Sequence, residues 1–216
     1  MKKAIFILPL FLFCFEYAIQ AQNARAGFDA GVSISNMNVS GQTYNSGDSK
    51  TGYTFGMVVD FPGKKKLSKF SMQPGLHYVT KGMISNLTTN GVNSELKVNV
   101  NYIELAANFL YNMTNQSGGD FFVGTGPTLS TGLVGAKTIY NGSPHDIIFG
   151  HTEGADMRRW DYGWNFLAGY RLKNGVFISA NYTLGLKNLL PEGRNGQLKN
   201  NAIGVKVGIL MNNETK

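Results

Sequence analysis

Seven ionisable residues frame the chemistry open to this chain: Asp29, Asp60, Lys81, Glu104, Asp161, Arg171 and Lys206. They are four acids and three bases, far apart in sequence, each inside a stretch otherwise poor in charge. A charge held away from bulk water needs a partner, since an unpaired one is strongly destabilising or titrates instead. Brought together, these seven can nearly neutralise one another. Other residues offer other chemistries. His77 with Ser71 or Ser130, and Glu104 or Asp161 to orient the base, has the side chains of a nucleophilic hydrolase. His145, Asp146, His151, Glu153 and Asp156 carry donors suited to a divalent cation. Their spacing matches no specific site, and solvated loop polarity explains them equally well. Phe122-Val-Gly-Thr-Gly-Pro-Thr holds a Gly-x-Gly but lacks the third glycine and following helix of a nucleotide fingerprint. Those glycines read as residues that let an inward strand face crowd its neighbours. The expectation is therefore no cofactor, no metal and no catalytic residue, with the seven charges as the set to follow.

The elements that would position these residues are strands. Period-two segments run over Ala26–Met37, Gly52–Phe61, Lys69–Gly82, Glu95–Asn112, Asp120–Ile139, Met157–Leu172, Gly175–Lys187 and Asn200–Met211. Gly/Asn/Ser/Asp-rich breaks separate them, and no segment shows a 3.6-residue stripe. In the clearest, Tyr162, Trp164, Phe166, Ala168 and Tyr170 alternate with Asp161, Gly163, Asn165, Gly169 and Arg171. All seven charges fall on the polar parity, as do Ser71, His77 and Ser130. A membrane barrel and a soluble sandwich both require such alternation, so parity alone does not choose between them.

Composition and length favour the membrane barrel. The chain has 216 residues with 27 glycines, 15% charged, 12% aromatic and 43% hydrophobic residues. Average charge usage is about 25%. Disorder would need more charge and fewer aromatics. A mean hydropathy of −0.13 argues against a polytopic helical membrane protein. The polar face is mostly Gly, Ser, Thr and Asn, which fit a narrow lumen better than a solvent face. Aromatics gather near strand ends, as in membrane girdles. The segments exceed the usual five or six residues of a soluble strand. The reading is one all-β domain, an eight-stranded antiparallel up-and-down transmembrane β-barrel.

The connections alternate in length. Pro62–Ser68, Met113–Gly119 and Lys173-Asn174 are short, whereas Asn38–Thr51, Met83–Ser94, Tyr140–Asp156 and Asn188–Lys199 are long. Short turns inside and long loops outside is the outer-membrane pattern. Lys2-Lys3, the apolar run Ala4–Phe15 and Ile19-Gln20-Ala21 read as a signal peptide over residues 1–21, leaving 22–216 as the barrel domain. Its loss removes Lys2, Lys3, Glu16 and Cys14, lowers the formal charge from +7 to +6 and leaves no cysteine. An exported basic chain is expected to meet anionic lipid and lipopolysaccharide head groups rather than nucleic acid. Gly63-Lys64-Lys65-Lys66 would face inner-leaflet phosphates or a periplasmic partner. Protein partners are expected at the outer loops or at these turns.

Several stretches resemble one family. Gly52–Pro62 followed by Phe70-Ser-Met-Gln-Pro-Gly-Leu-His-Tyr and Lys81-Gly82 resembles the second hairpin of the PorT-like outer-membrane β-barrel family of Bacteroidetes. Asn101-Tyr-Ile-Glu-Leu, Phe122-Val-Gly-Thr-Gly-Pro, Asp161-Tyr-Gly-Trp, Ala168-Gly-Tyr and Leu184-Gly-Leu-Lys-Asn-Leu are similar to its later strands. The resemblance spans roughly Ala26–Met211. It implies an eight-stranded barrel in the outer membrane, and the founding member takes part in protein secretion. The chain departs from that pattern after Leu210-Met211, where the polar tail Asn212–Lys216 replaces a terminal aromatic.

The expected function is a non-enzymatic structural or interaction barrel with a side-chain-filled lumen. Its rivals are a lipid-modifying barrel enzyme and a soluble ligand-binding barrel. Glu104, mid-strand, is expected to meet Lys206 or Arg171, and closure of the last strand on the first to bring Lys206 to Asp29. Asn38–Ser49 has Val39 as its only aliphatic residue, too little to fix one conformation. Protease added to intact cells is expected to cut there or in Gly142–Asp156 before any strand. Cutting confined to Pro62–Ser68 would invert the topology.

Overall fold

The computed structural model describes residues 24–40, 47–63, 69–89, 92–114 and 119–211. The expected signal peptide, Lys64–Lys66 and the tail after Met211 lie outside the described residues. Among the described residues ten strands form: β1 Arg25–Ser40, β2 Asp48–Pro62, β3 Phe70–Thr89, β4 Val92–Thr114, β5 Gly119–Gly132, β6 Lys137–Tyr140, β7 Ser143–Asp146, β8 Trp160–Leu172, β9 Val176–Gly185 and β10 Gln197–Leu210.

Eight of them close a ring, β1-β2-β3-β4-β5-β8-β9-β10, every neighbour antiparallel. The ring closes where β10 returns to β1, in register from Gly27↔Leu210 to Ser40↔Gln197. β6 and β7 form a hairpin outside this ring, with β6 on the edge of β4 from Leu96↔Tyr140 to Asn99↔Lys137. Its two-residue turn, Asn141-Gly142, has φ of 45° and 84°. Those are the positive values that a tight hairpin matched to strand twist requires.

The alternation in sequence becomes an inside and an outside. Phe28, Val32, Phe109, Phe166, Ile203 and Val207 each expose between 48% and 58% of their surface, and all face outward. An apolar belt of this extent would be an association surface in water and is solvated in hydrocarbon. Aromatics edge it at both ends. Phe70 against Tyr111 and Phe121 against Tyr170, with centroids 5.2 and 4.7 Å apart, mark the end that holds the short turns. Tyr53, Trp160 and Tyr162 mark the loop end.

The lumen is layered. Near the turn end, Val58, Leu110, Phe122, Phe177 and Leu210 form an apolar plate. Phe122 and Phe177 meet edge to face with centroids 6.4 Å apart. Two glycines make room for these rings. A Cβ on Gly208 would lie 2.7 Å from Phe177 Cε1 and 2.5 Å from Phe28 O, and one on Gly169 would lie 2.9 Å from Phe122 Cε1. Near the loop end a second apolar layer holds Met37, Met83, Val100, Tyr102, Ala136, Met157 and Leu189. The polar and charged residues lie between the two plates and beneath the lower one.

The structure corrects several sequence expectations. Met83–Ser94 is not a loop, because β3 and β4 stay paired to Thr89↔Val92. Leu96 and Val98 of this extended ladder pack on the upper apolar layer. The expected strand Asp120–Ile139 is interrupted: β5 ends at Gly132, Gly135 turns at φ 84°, and the chain resumes as β6 on the same edge of β4. β8 begins at Trp160 rather than at Met157, which makes an isolated bridge to Phe149. Gly142–Asp156 is anchored rather than free. It contains β7, Ala155 is buried, and Ile147 and Phe149 pack on the upper layer.

Gly208→Val is expected to abolish the folded, heat-modifiable gel band, whereas Val207→Ala, one residue away on the lipid side, should retain it. Wild-type yield of folded Gly208→Val would contradict this packing. Val205→Lys places a charge mid-belt and should destabilise the barrel in micelles by about 2–4 kcal/mol, read from the denaturant midpoint.

Candidate functional site

The polar lumen is the candidate site, and strand parity builds it: each of the seven charges alternates with lipid-facing apolar residues, so it can only point inward. Six are buried, Asp29, Asp60, Lys81, Glu104, Asp161 and Arg171, and Lys206 is partly so. They do not form one cluster but three groups at different heights.

At the turn end, Asp60 is fully buried and receives the Arg25 guanidinium. Arg171 Nη1 lies 3.6 Å from Asp60 Oδ2, and Arg171 Nη2 lies 3.4 Å from Asp120 Oδ2. Arg171 also donates to Asn112 Oδ1 at 3.0 Å. Arg25 and Asp120 are members of this group that sequence reading passed over. Both sit at strand ends, where parity signals least.

In the middle, His77 Nε2 lies 3.0 Å from Asp29 Oδ2, and Lys206 Nζ lies 3.9 Å from Asp29 Oδ1. The β1–β10 register sets Lys206 across from Gly31, two residues from Asp29 on the same inward face. Towards the loop end, Lys81 Nζ donates to Glu104 Oε2 at 2.6 Å, and Ser130 Oγ donates to the same oxygen at 2.9 Å. Asp161 is held by an amide rather than a cation: its Oδ2 accepts from Asn200 Nδ2 at 2.9 Å. Asn200 also donates to the Tyr102 hydroxyl at 3.2 Å, and Lys81 Nζ lies 5.5 Å from the Tyr102 ring centroid.

One expectation is corrected here. The partner of Glu104 is Lys81, not Lys206 or Arg171. Parity fixes which face a residue occupies but not its height, and the tilt of barrel strands offsets heights between neighbours. Lys81 sits four positions beyond His77, the register partner of Glu104, and its long stem leans back to the carboxylate. Arg171 lies beyond the lower apolar plate, with Asp60.

The hydrolase arrangement is not assembled. Ser71 Oγ accepts from Asn112 Nδ2 at 3.1 Å, Ser130 Oγ faces Glu104, and His77 is engaged by Asp29. Among the described residues no group of three or more His, Cys, Asp or Glu side chains is arranged to hold a metal ion. Two cavities inside the barrel are about 20 Å³ each. One is bounded by Asp29, His77, Asn181 and Lys206, and the other by Thr54, Lys81, Glu104 and Lys206.

A closed antiparallel barrel, apolar and aromatic outside and ion-paired inside, is a membrane-spanning β-barrel protein. The chain belongs to the family described as outer membrane protein beta-barrel domain, whose model matches residues 20–190. It is thus an outer-membrane barrel. No curated protein matches the chain. Among solved structures it is similar to Neisserial surface protein A at 11% identity, with 87% of this chain and 99% of that one covered and a TM-score of 0.48. It is also similar to Ail, the attachment invasion locus protein of Yersinia pestis, solved with the heparin analogue sucrose octasulfate. That match has 11% identity, 88% and 100% coverage and a TM-score of 0.46.

Glu104→Ala strands Lys81 in the lumen and is expected to destabilise the barrel by about 3–5 kcal/mol in micelles. Glu95→Ala breaks only an exposed 2.9 Å pair with Lys97 and should change stability by less than about 1 kcal/mol. Denaturant midpoints of the two variants check the order.

Proposed function

We propose that this protein is a non-enzymatic, non-conducting barrel that anchors an interaction surface at its loop end, outside the cell. One observation carries the reading: apolar layers cross the lumen at two heights. Two apolar layers lie above and below the middle charge groups, and the polar cavities beside those groups are about 20 Å³ each. An eight-stranded barrel has room for side chains and little else. The unassembled Ser–His pair supports a role without turnover.

The loop end is the outward one in this reading. The connections at the other end are short, with Gly175 closing the tight β8–β9 turn at φ 87°, and short turns are periplasmic in such barrels. Residues 1–21 would be the signal peptide that delivers the chain, and the seven lumen charges would serve the wall rather than a substrate. The narrower kinship to PorT-like barrels, and with it a part in protein secretion, rests on the motifs in chain order from Gly52–Pro62 to Leu184-Gly-Leu-Lys-Asn-Leu.

Two measurements test the proposal. Purified protein in a planar bilayer is expected to show no steady, ion-selective conductance, and a reproducible open channel would make a small porin the better reading. Val134, 82% exposed between β5 and β6, gives the sidedness test. A Val134→Cys variant should react with an impermeant maleimide on intact cells. Protection there, with labelling only after lysis, would turn the barrel over.

A further inference from the structure

We infer that an apolar recess in the lipid-facing wall between β8 and β9 holds one acyl chain of a phospholipid from the leaflet on the short-turn side. That this leaflet is the periplasmic one rests on the orientation proposed above. The recess itself does not depend on it.

The recess has a volume of about 390 Å³, within the range of about 300–1,000 Å³ that holds small ligands. Strand register makes it. Ala168 pairs with Ala180, flanked by Phe166↔Tyr182 on the loop side and Tyr170↔Ile178 on the turn side. Val123 on β5 and Val205 on β10 extend the alanine row. Both alanines are exposed on the outward face, so packing in the lumen does not dictate their size as it does that of Gly169. A methyl group thus stands where the flanking pairs carry rings and a branched chain. Tyr170 widens the gap. A Cβ on Gly119 would lie 2.6 Å from the Tyr170 hydroxyl, and the Phe121 ring centroid lies 4.7 Å from that of Tyr170. The Tyr170 ring therefore leans onto β5 and away from β9.

The surroundings select the occupant. The recess opens into the apolar belt, on the side of mid-wall nearer the Phe121–Tyr170 pair, and among the described residues its lining carries no charged side chain. Within hydrocarbon, apolar surfaces gain nothing from leaving water, so attraction there comes from dispersion contacts. A flat wall touches a lipid chain along one side. The recess touches it on the floor and on both flanks, so a chain lodged here keeps more contacts than one elsewhere on the wall. A second barrel fits less well. A closed pair of barrels in one membrane shares a two-fold axis along the membrane normal, which preserves height. A dimer centred here would set recess against recess and leave both unfilled, whereas a single flexible chain fills one.

Photolabelling in a bilayer tests the site. Purified full-length barrel would be reconstituted in phosphatidylethanolamine vesicles doped with the same lipid bearing a diazirine in mid-chain, then irradiated, digested and mapped. Labelling per residue is expected to peak over residues 168–180. Ala168→Phe fills the recess, and the loss of about ten carbon–carbon contacts should lower that labelling about tenfold. Ala180→Leu, which fills it from the other strand, should act in the same direction. Met57→Phe adds a ring to the outward face of β2, across the barrel, and should leave the peak unchanged. Retention of the heat-modifiable gel band shows that each variant is folded. Even labelling around the ring, undiminished labelling in both filled variants, or disulfide-linked dimers of Ala168→Cys in place of lipid labelling would overturn the site. An inverted barrel would register separately, as an unreactive Val134→Cys on intact cells, and would overturn the assignment of the leaflet.

Discussion

Hydrocarbon offers no hydrogen bonds, and that one absence shapes the whole molecule. Every backbone N–H and C=O at membrane depth must find a partner within the protein, so a sheet can cross only if it has no edge. The fourteen-pair register between β1 and β10 meets that demand. Closure then leaves each side chain one of two places to go. An ionic residue within a strand is forced into a space too narrow for bulk water, where it must find another side chain. The three ion groups in the lumen follow from the closed ladder. They are not an independent design.

The lumen meets this constraint by layering. Charges near one another in height pair locally, as Lys81 with Glu104 and Arg171 with Asp60 and Asp120. The lower apolar plate separates the Arg171 group from the other two. The plates require bulky rings in a narrow tube, and the tube admits them only where a neighbouring strand gives up its Cβ, as at Gly169 and Gly208. The high glycine count is thus partly the complement of Phe122 and Phe177. Wall residues and plug residues constrain each other across strands that are distant in sequence.

Much of this was legible in the alternation. The eight wall strands, their inward and outward faces and the inward placement of the seven charges all follow from period two, which local sequence displays directly. Height does not. Parity offers Glu104 either Lys206 or Arg171 because it gives a face without a level, and strand tilt sets levels through contacts among the whole ring. The loop end was misread for a related reason. Met83–Ser94 carries Asn, Ser, Thr and Gly, the composition of a connection, yet β3 and β4 stay paired across it to Thr89↔Val92, with Met83 in the apolar layer beneath. Inward apolar residues such as Tyr102 and Leu110 broke the polar pattern of their face, and that break was the available signal of the plates.

The extended β3–β4 pair has a mechanical meaning. β4 runs 23 residues, about twice the 9–11 that a tilted crossing takes. At about 3.4 Å per residue, its outer half is a ribbon some tens of ångströms long. β6 stiffens one of its edges, and its base is rooted in the packed layer around Val100 and Tyr102. A load applied at the far end of this ribbon would not be absorbed by a slack linker. It would travel along the backbone ladder as shear and arrive at Tyr102 and Lys81, inside the wall.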